Sequence, residues 1–176
     1  MGRLKERLSL ERRALQLLAQ RDQSRVELRA KLLRHAGAEA RARAAAEAED
    51  ESGGDDGEAR RAEVEGLLDW LEANRYLSAE RFAESRIHAR QARFGNRRIR
   101  AELAQHGVAV SPEVARALAE SELQRAAAVR ERRFAGPPSD AAERAAQARF
   151  LAGRGFSPEV IHRLMKQLVE TRSLSS

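Results

Sequence analysis

Apolar residues recur along this chain at the three- and four-residue intervals of amphipathic helices. Val64, Leu67, Leu68 and Leu71 fall at i, i+3, i+4 and i+7, and Val160, Ile161, Leu164, Met165 and Leu168 mark one face of a later segment. Three segments can be laid over one another: SRVELRAKLLRHA (24–36), GNRRIRAELAQHG (95–107) and ERAAQARFLAGRG (143–155). Leu28, Ile99 and Gln147 then correspond, as do Leu32, Leu103 and Leu151, and His35, His106 and Arg154 meet at a last turn, where a basic group suits the helix dipole. The joints repeat as well. GVAVSPEVARAL (107–118) and GFSPEVIHRLM (155–165) share Gly, then Ser-Pro-Glu-Val. Glycine ends one helix in the left-handed conformation, serine caps the next, proline takes its first position and glutamate sits by the positive end of its dipole. In the first unit Ser24 and Glu27 form a capping-box pattern.

Each shared helix has a neighbour on either side. Before it come 9–20, 78–93 and 122–134; after it come 58–73, 111–120 and 157–169. The pattern predicts an all-α protein of three tandem three-helix repeats, at 9–73, 78–120 and 121–170. One such module cannot cover its own apolar face, so the modules are expected to stack into an elongated, curved body. The first module carries an acidic insert near 38–57. Within it 38–48 has helical propensity, and 49–57, with SGGDDG, is expected to be a mobile loop.

Composition supports helix over sheet. Alanine numbers 34, whereas Val, Ile and Thr together number 12. The chain has 176 residues and no cysteine, which excludes disulfides and thiol chemistry. The segment MGRLKERLSLERR has no apolar h-region, and no apolar run approaches the ~20 residues of a membrane span. A cytoplasmic protein that makes no membrane contact is the simple expectation.

Charge alters this picture. The net charge is +6, and 30 of the 33 basic residues are arginine. That bias reflects either helix propensity in a GC-rich genome or anion recognition by guanidinium forks. Residues 47–58 hold seven acids and no base, so setting them aside leaves the remaining chain at +13 instead of +6. Such a tract on a basic body is a solvated linker or a self-masking device.

The segments ALQLLAQRDQSRVELRAKLLRHA (14–36), WLEANRYLSAERFAESRIHARQARFGNRRIRAELAQHGV (70–108) and RFLAGRGFSPEVIHRLM (149–165) resemble the RecX family of bacterial regulatory proteins. Tyr76-Leu77, Arg81-Phe82-Ala83, Gly95, Arg98-Ile99 and Arg154-Gly155-Phe156 carry the likeness, while the acidic insert and the small Gly153 depart from it. The resemblance implies a cytoplasmic modulator of the RecA recombinase in DNA repair, homologous recombination and the SOS response. It implies helical repeats lodged in the groove of the RecA–DNA filament, and usually inhibition. RecA and RecA-bound DNA are the expected partners, with naked DNA a further one, and the chain is expected to act as a monomer. The runner-up is a RecA-independent, sequence-nonspecific DNA-binding protein, and a third class is a scaffold between other proteins.

No catalytic constellation competes with these readings. GxxxxGK[ST] and HExxH are both absent from the sequence. Glu84 and His88 lie one turn apart, but such a pair is more often a solvated face than a metal site. No enzyme activity, metal or cofactor is expected. The basic helices give the stronger lead. Arg86, Arg90, Arg93, Arg97, Arg98 and Arg100 crowd the middle module around Phe94-Gly95-Asn96, and Arg25, Arg29 and Lys31 are comparable in the first. These are the candidate contacts for a RecA filament or DNA phosphate. The competing account is a solvated face neutralised by Glu80, Glu84 and Glu102. No base-reading element is visible, so DNA contact would be largely sequence-independent. Trp70, Phe82, Phe150 and Phe156 are expected in the core. Phe94 and Phe134 are expected at packed junctions, with stacking on bases as the alternative.

Overall fold

The computed structural model describes residues 2–46 and 56–174. Among the described residues there are eight α-helices and no strand: α1 (Gly2–Gln20), α2 (Arg25–Ala46), α3 (Asp56–Ala73), α4 (Ala79–Gln91), α5 (Asn96–Gln105), α6 (Pro112–Glu131), α7 (Ala141–Gly153) and α8 (Pro158–Leu174). No helix is long and apolar enough to cross a membrane among the described residues. The chain divides into two compact units, 1–82 and 83–176.

In the first unit α2 packs on both α1 and α3. Its core is Leu10, Ala14 and Leu17 from α1, Leu28, Leu32 and Ala36 from α2, and Val64, Leu67, Leu68 and Leu71 from α3, closed by Leu77. Gln23 is buried beside them and donates to the Leu17 carbonyl at 3.2 Å. In the second unit α8 packs on α6 and α7. Ala126, Val129, Leu151, Phe156, Ile161, Leu164 and Met165 form its core, with Val160, Phe150 and Leu168 against them. The positions aligned by sequence are among the most buried of all: Leu28, Leu32, Leu103 and Leu151 are inaccessible, and Ile99 nearly so. Gln147, the polar member of that set, is 4 % exposed and accepts from Arg130 Nε at 2.7 Å.

The joints form as their residues require. Gly107 and Gly155 take positive φ values of 69° and 80°. Ser111 caps α6 by accepting from Val114 N, Asp140 caps α7 by accepting from Glu143 N, and Ser24 accepts from Glu27 N. The turn after α3 places Arg75 at φ 61°. Arg81 holds that turn, donating to the carbonyls of Arg75 and Tyr76 at 3.0 Å each.

Four expectations change. The helices read at 111–120 and 122–134 are one helix, α6. Neither glycine nor proline interrupts 113–131, and Ser121 keeps its hydroxyl on the carbonyls of Ala117 and Leu118, within the helix itself. Gly37 does not end α2, because the alanine-, arginine- and glutamate-rich residues after it favour continuing; His35 is therefore mid-helix, not at a last turn. Of the acidic insert, 38–46 is helical, and Asp56 and Gly57, expected at the end of the loop 49–57, open α3 instead; residues 47–55 lie outside the described residues. Trp70 is not core: it is 37 % exposed and stacks on Tyr76 at 5.6 Å, because α3 already fills its inward face with Val64, Leu67, Leu68 and Leu71.

Candidate functional site

The joint at Phe94-Gly95-Asn96 lies backbone to backbone against Arg154-Gly155-Phe156. Gly95 N donates to the Arg154 carbonyl and Arg97 N to the Gly155 carbonyl, both at 3.0 Å. A Cβ on Gly95 would stand 2.2 Å from Phe156 N, and one on Gly155 would stand 2.5 Å from Arg98 Cβ. The absent side chain of Gly95 thus admits a backbone from this same chain.

A buried polar node secures this contact. Glu122, 4 % exposed, accepts from Asn96 N at 2.9 Å, from Ser157 N at 3.2 Å and from the Ser157 hydroxyl at 3.0 Å. One carboxylate thus serves the starts of α5 and α8 together. Asn96 Nδ2 donates to the Leu118 carbonyl at 3.0 Å. Arg125 donates to the carbonyls of Gln91, Phe94 and Leu118 and to Asn96 Oδ1. Burial pushes the Arg125 pKa down, and the charge of Glu122 opposes that shift. Among the described residues no buried side-chain nitrogen or oxygen lacks a hydrogen-bond partner.

Closing the two joints gathers guanidinium groups around one ring. Arg98 lies 4.2 Å from the centroid of Phe94, Arg93 5.7 Å and Arg154 5.8 Å; Arg154 also lies 5.1 Å from the centroid of Phe150. Each contact contributes roughly 0.5–1 kcal/mol at exposed sites and orients its fork. Phe94 is half-buried, and Phe134 meets Phe150 edge-on at 5.4 Å, so both are packed junctions.

The eight arginines singled out from sequence divide evenly. Arg90 clasps Glu102 through Nε and Nη2 at 3.0–3.1 Å, and Arg86 reaches the same carboxylate at 3.4 Å. Arg25 reaches Glu65, Asp69 and Glu72 at 2.7–2.8 Å, and Arg29 also pairs with Glu65. The Arg25 pKa is pushed up, first by its hydrogen bond to Glu65, and the same bond leads in holding the Glu65 carboxyl below its ordinary range. Lys31 is bound to Gln23 and Glu27. In contrast, Arg93, Arg97, Arg98 and Arg100 are exposed and have no carboxylate partner among the described residues. Arg154, half-buried, also has no carboxylate partner among the described residues; its helix-end position was legible, but its place over Phe94 was not. Clustered cations of this kind, relieved by no local acid, suit a polyanion, and their forks suit phosphate oxygens. Glu84 and His88 are both exposed, and no group of three or more metal-ligating side chains occurs among the described residues.

Known proteins supply the remaining comparison. Residues 80–111 match the model of the RecX second three-helix domain, and residues 120–165 match that of the third. A Regulatory protein RecX of Ralstonia nicotianae is 44% identical over 161 residues, covering 90% of this chain and 87% of its own. Those of Herbaspirillum seropedicae and Leptothrix cholodnii are 42% and 39% identical over 93% and 94% of this chain, and 91% and 93% of their own. With identity at this level extending across both units, the chain belongs to the RecX family.

Proposed function

We propose that this chain is a cytoplasmic, non-catalytic regulator that binds the RecA–DNA filament as a monomer and restrains recombinase activity. The observation that carries the proposal is the group of arginines without carboxylate partners among the described residues, Arg93, Arg97, Arg98, Arg100 and Arg154, of which Arg93, Arg98 and Arg154 gather over Phe94 where two helix joints meet. The names of its relatives support a regulatory role. In this reading α6 serves two modules, completing 78–120 and opening 121–170. Paired residues such as Arg25, Arg29, Arg86 and Arg90 fix helix to helix, and the unpaired ones meet phosphate or acidic patches of the filament. A second reading, a RecA-independent and sequence-nonspecific DNA binder, draws on the same unpaired arginines.

Replacing Arg93, Arg97, Arg98 and Arg100 together by alanine tests the site. Filament binding is expected to weaken, and the slope of log K against log salt to flatten by about 0.9 for each duplex phosphate that is no longer neutralised. Helicity should persist, since these side chains lie outside the core. A folded variant with parental affinity and slope would return the cluster to a solvated face.

A further inference from the structure

We propose that the cleft between α1 and α2 is a second polyanion site, one that seats the phosphodiester backbone of a nucleic-acid strand. The cleft is a shallow, solvent-open depression of about 390 Å³, lined by Arg13 and Leu17 from α1 and by Lys31, Arg34 and His35 from α2. It lies in the unit whose expected contacts, Arg25 and Arg29, are occupied by the acids of α3. Arg13 and Arg34 are exposed, and neither has a carboxylate partner among the described residues; Arg34 Nε donates only to the Ala30 carbonyl, at 3.3 Å. The nearby acids are already engaged. Glu27 is held by Arg21 and Lys31, which depress its carboxyl, the hydrogen bond from Arg21 foremost. Glu39 accepts from the Ser9 hydroxyl at 2.6 Å and lies 3.5 Å from His35.

The shape of the charge favours a nucleic-acid strand over an acidic protein segment. Lys31 is held by Gln23 and Glu27, and helical spacing carries the row of unpaired arginines from Arg34 to the exposed Arg41. At about 1.5 Å per residue that row covers about 10 Å, roughly the rise of three nucleotides along one strand at about 3.4 Å each. A phosphodiester chain offers anions along its length, and guanidinium forks match its oxygens.

The inference rests on the nucleic-acid side of the reading above, so its test separates the two. Labelled oligo-dT is titrated with the full chain from about 50 to about 200 mM salt, using Arg13→Ala with Arg34→Ala, and separately Arg97→Ala with Arg100→Ala. The cleft pair is expected to lower affinity and flatten the single-strand slope by about 0.7 per arginine removed, with parental helicity. Parental affinity and slope in the cleft pair, alongside a loss in the other pair, would overturn the cleft and leave the first site standing. No change in either pair would overturn the cleft and, for the first site, direct contact with DNA phosphate. If the cleft pair instead lost binding to poly-glutamate while oligo-dT binding held, the cleft would be a seat for an acidic protein segment, and the nucleic-acid assignment would be wrong.

Discussion

Gly95→Ala is expected to destabilise the second unit by about 3 kcal/mol, a fall in Tm on the order of 10 °C. The added methyl would meet Phe156 N at 2.2 Å, Gly155 O at 2.3 Å and Phe156 Cα at 2.3 Å, all backbone atoms with no rotamer to yield. Relief would mean parting the joints, which forfeits the bonds from Gly95 N to Arg154 and from Arg97 N to Gly155. It would also draw Phe156, 1 % exposed, out of its core. Thermal denaturation followed by circular dichroism reads the effect, and hydrogen exchange should place the lost protection in α5 to α8. Parental Tm in this variant would mean that the joints do not meet as described.

Glu122→Leu should cost about 3–4 kcal/mol. It removes the acceptor of three donors at once, leaving the buried Asn96 N–H and the Ser157 N–H without the carboxylate that caps both helices. Glu122→Gln keeps one carbonyl oxygen, and its amide can donate to a Ser157 hydroxyl turned acceptor, so about 1–2 kcal/mol is expected there. Urea unfolding of the two variants gives the comparison. A leucine variant as stable as its parent would show that Glu122 is dispensable to the node.

Much of this architecture was legible because it is local. Ser111-Pro112 and the left-handed Gly107 and Gly155 announce helix ends through their own backbone preferences. The three-residue and four-residue rhythm of Val64, Leu67, Leu68 and Leu71 announces a buried face. Where the reading erred, local signals of similar strength competed. Gly37 looked like a stop, yet helix formers follow it; residues 120–122 looked like a boundary, yet nothing there breaks a helix. Trp70 is an aromatic next to the apolar Leu71, but its side of α3 carries Asp69 and faces water. The candidate site was legible as composition and not as arrangement. Arg25 and its acids lie 40 to 47 positions apart for the two hydrogen bonds to Glu65 and Glu72, so no helical spacing reveals that they meet. Arg154 reaches Phe94 only because two glycines let distant joints touch.

Restraint of a recombinase filament, the function proposed for this chain, is tested most directly by RecA's DNA-dependent ATPase. The activity is measured at fixed DNA while this protein is titrated from far below DNA saturation upward. The expected result is suppression at amounts too small to coat the DNA, weakened in the Arg93, Arg97, Arg98 and Arg100 variant. Suppression only once the DNA is saturated, with equal effect on other DNA-dependent ATPases, would contradict it and establish a nonspecific DNA binder instead.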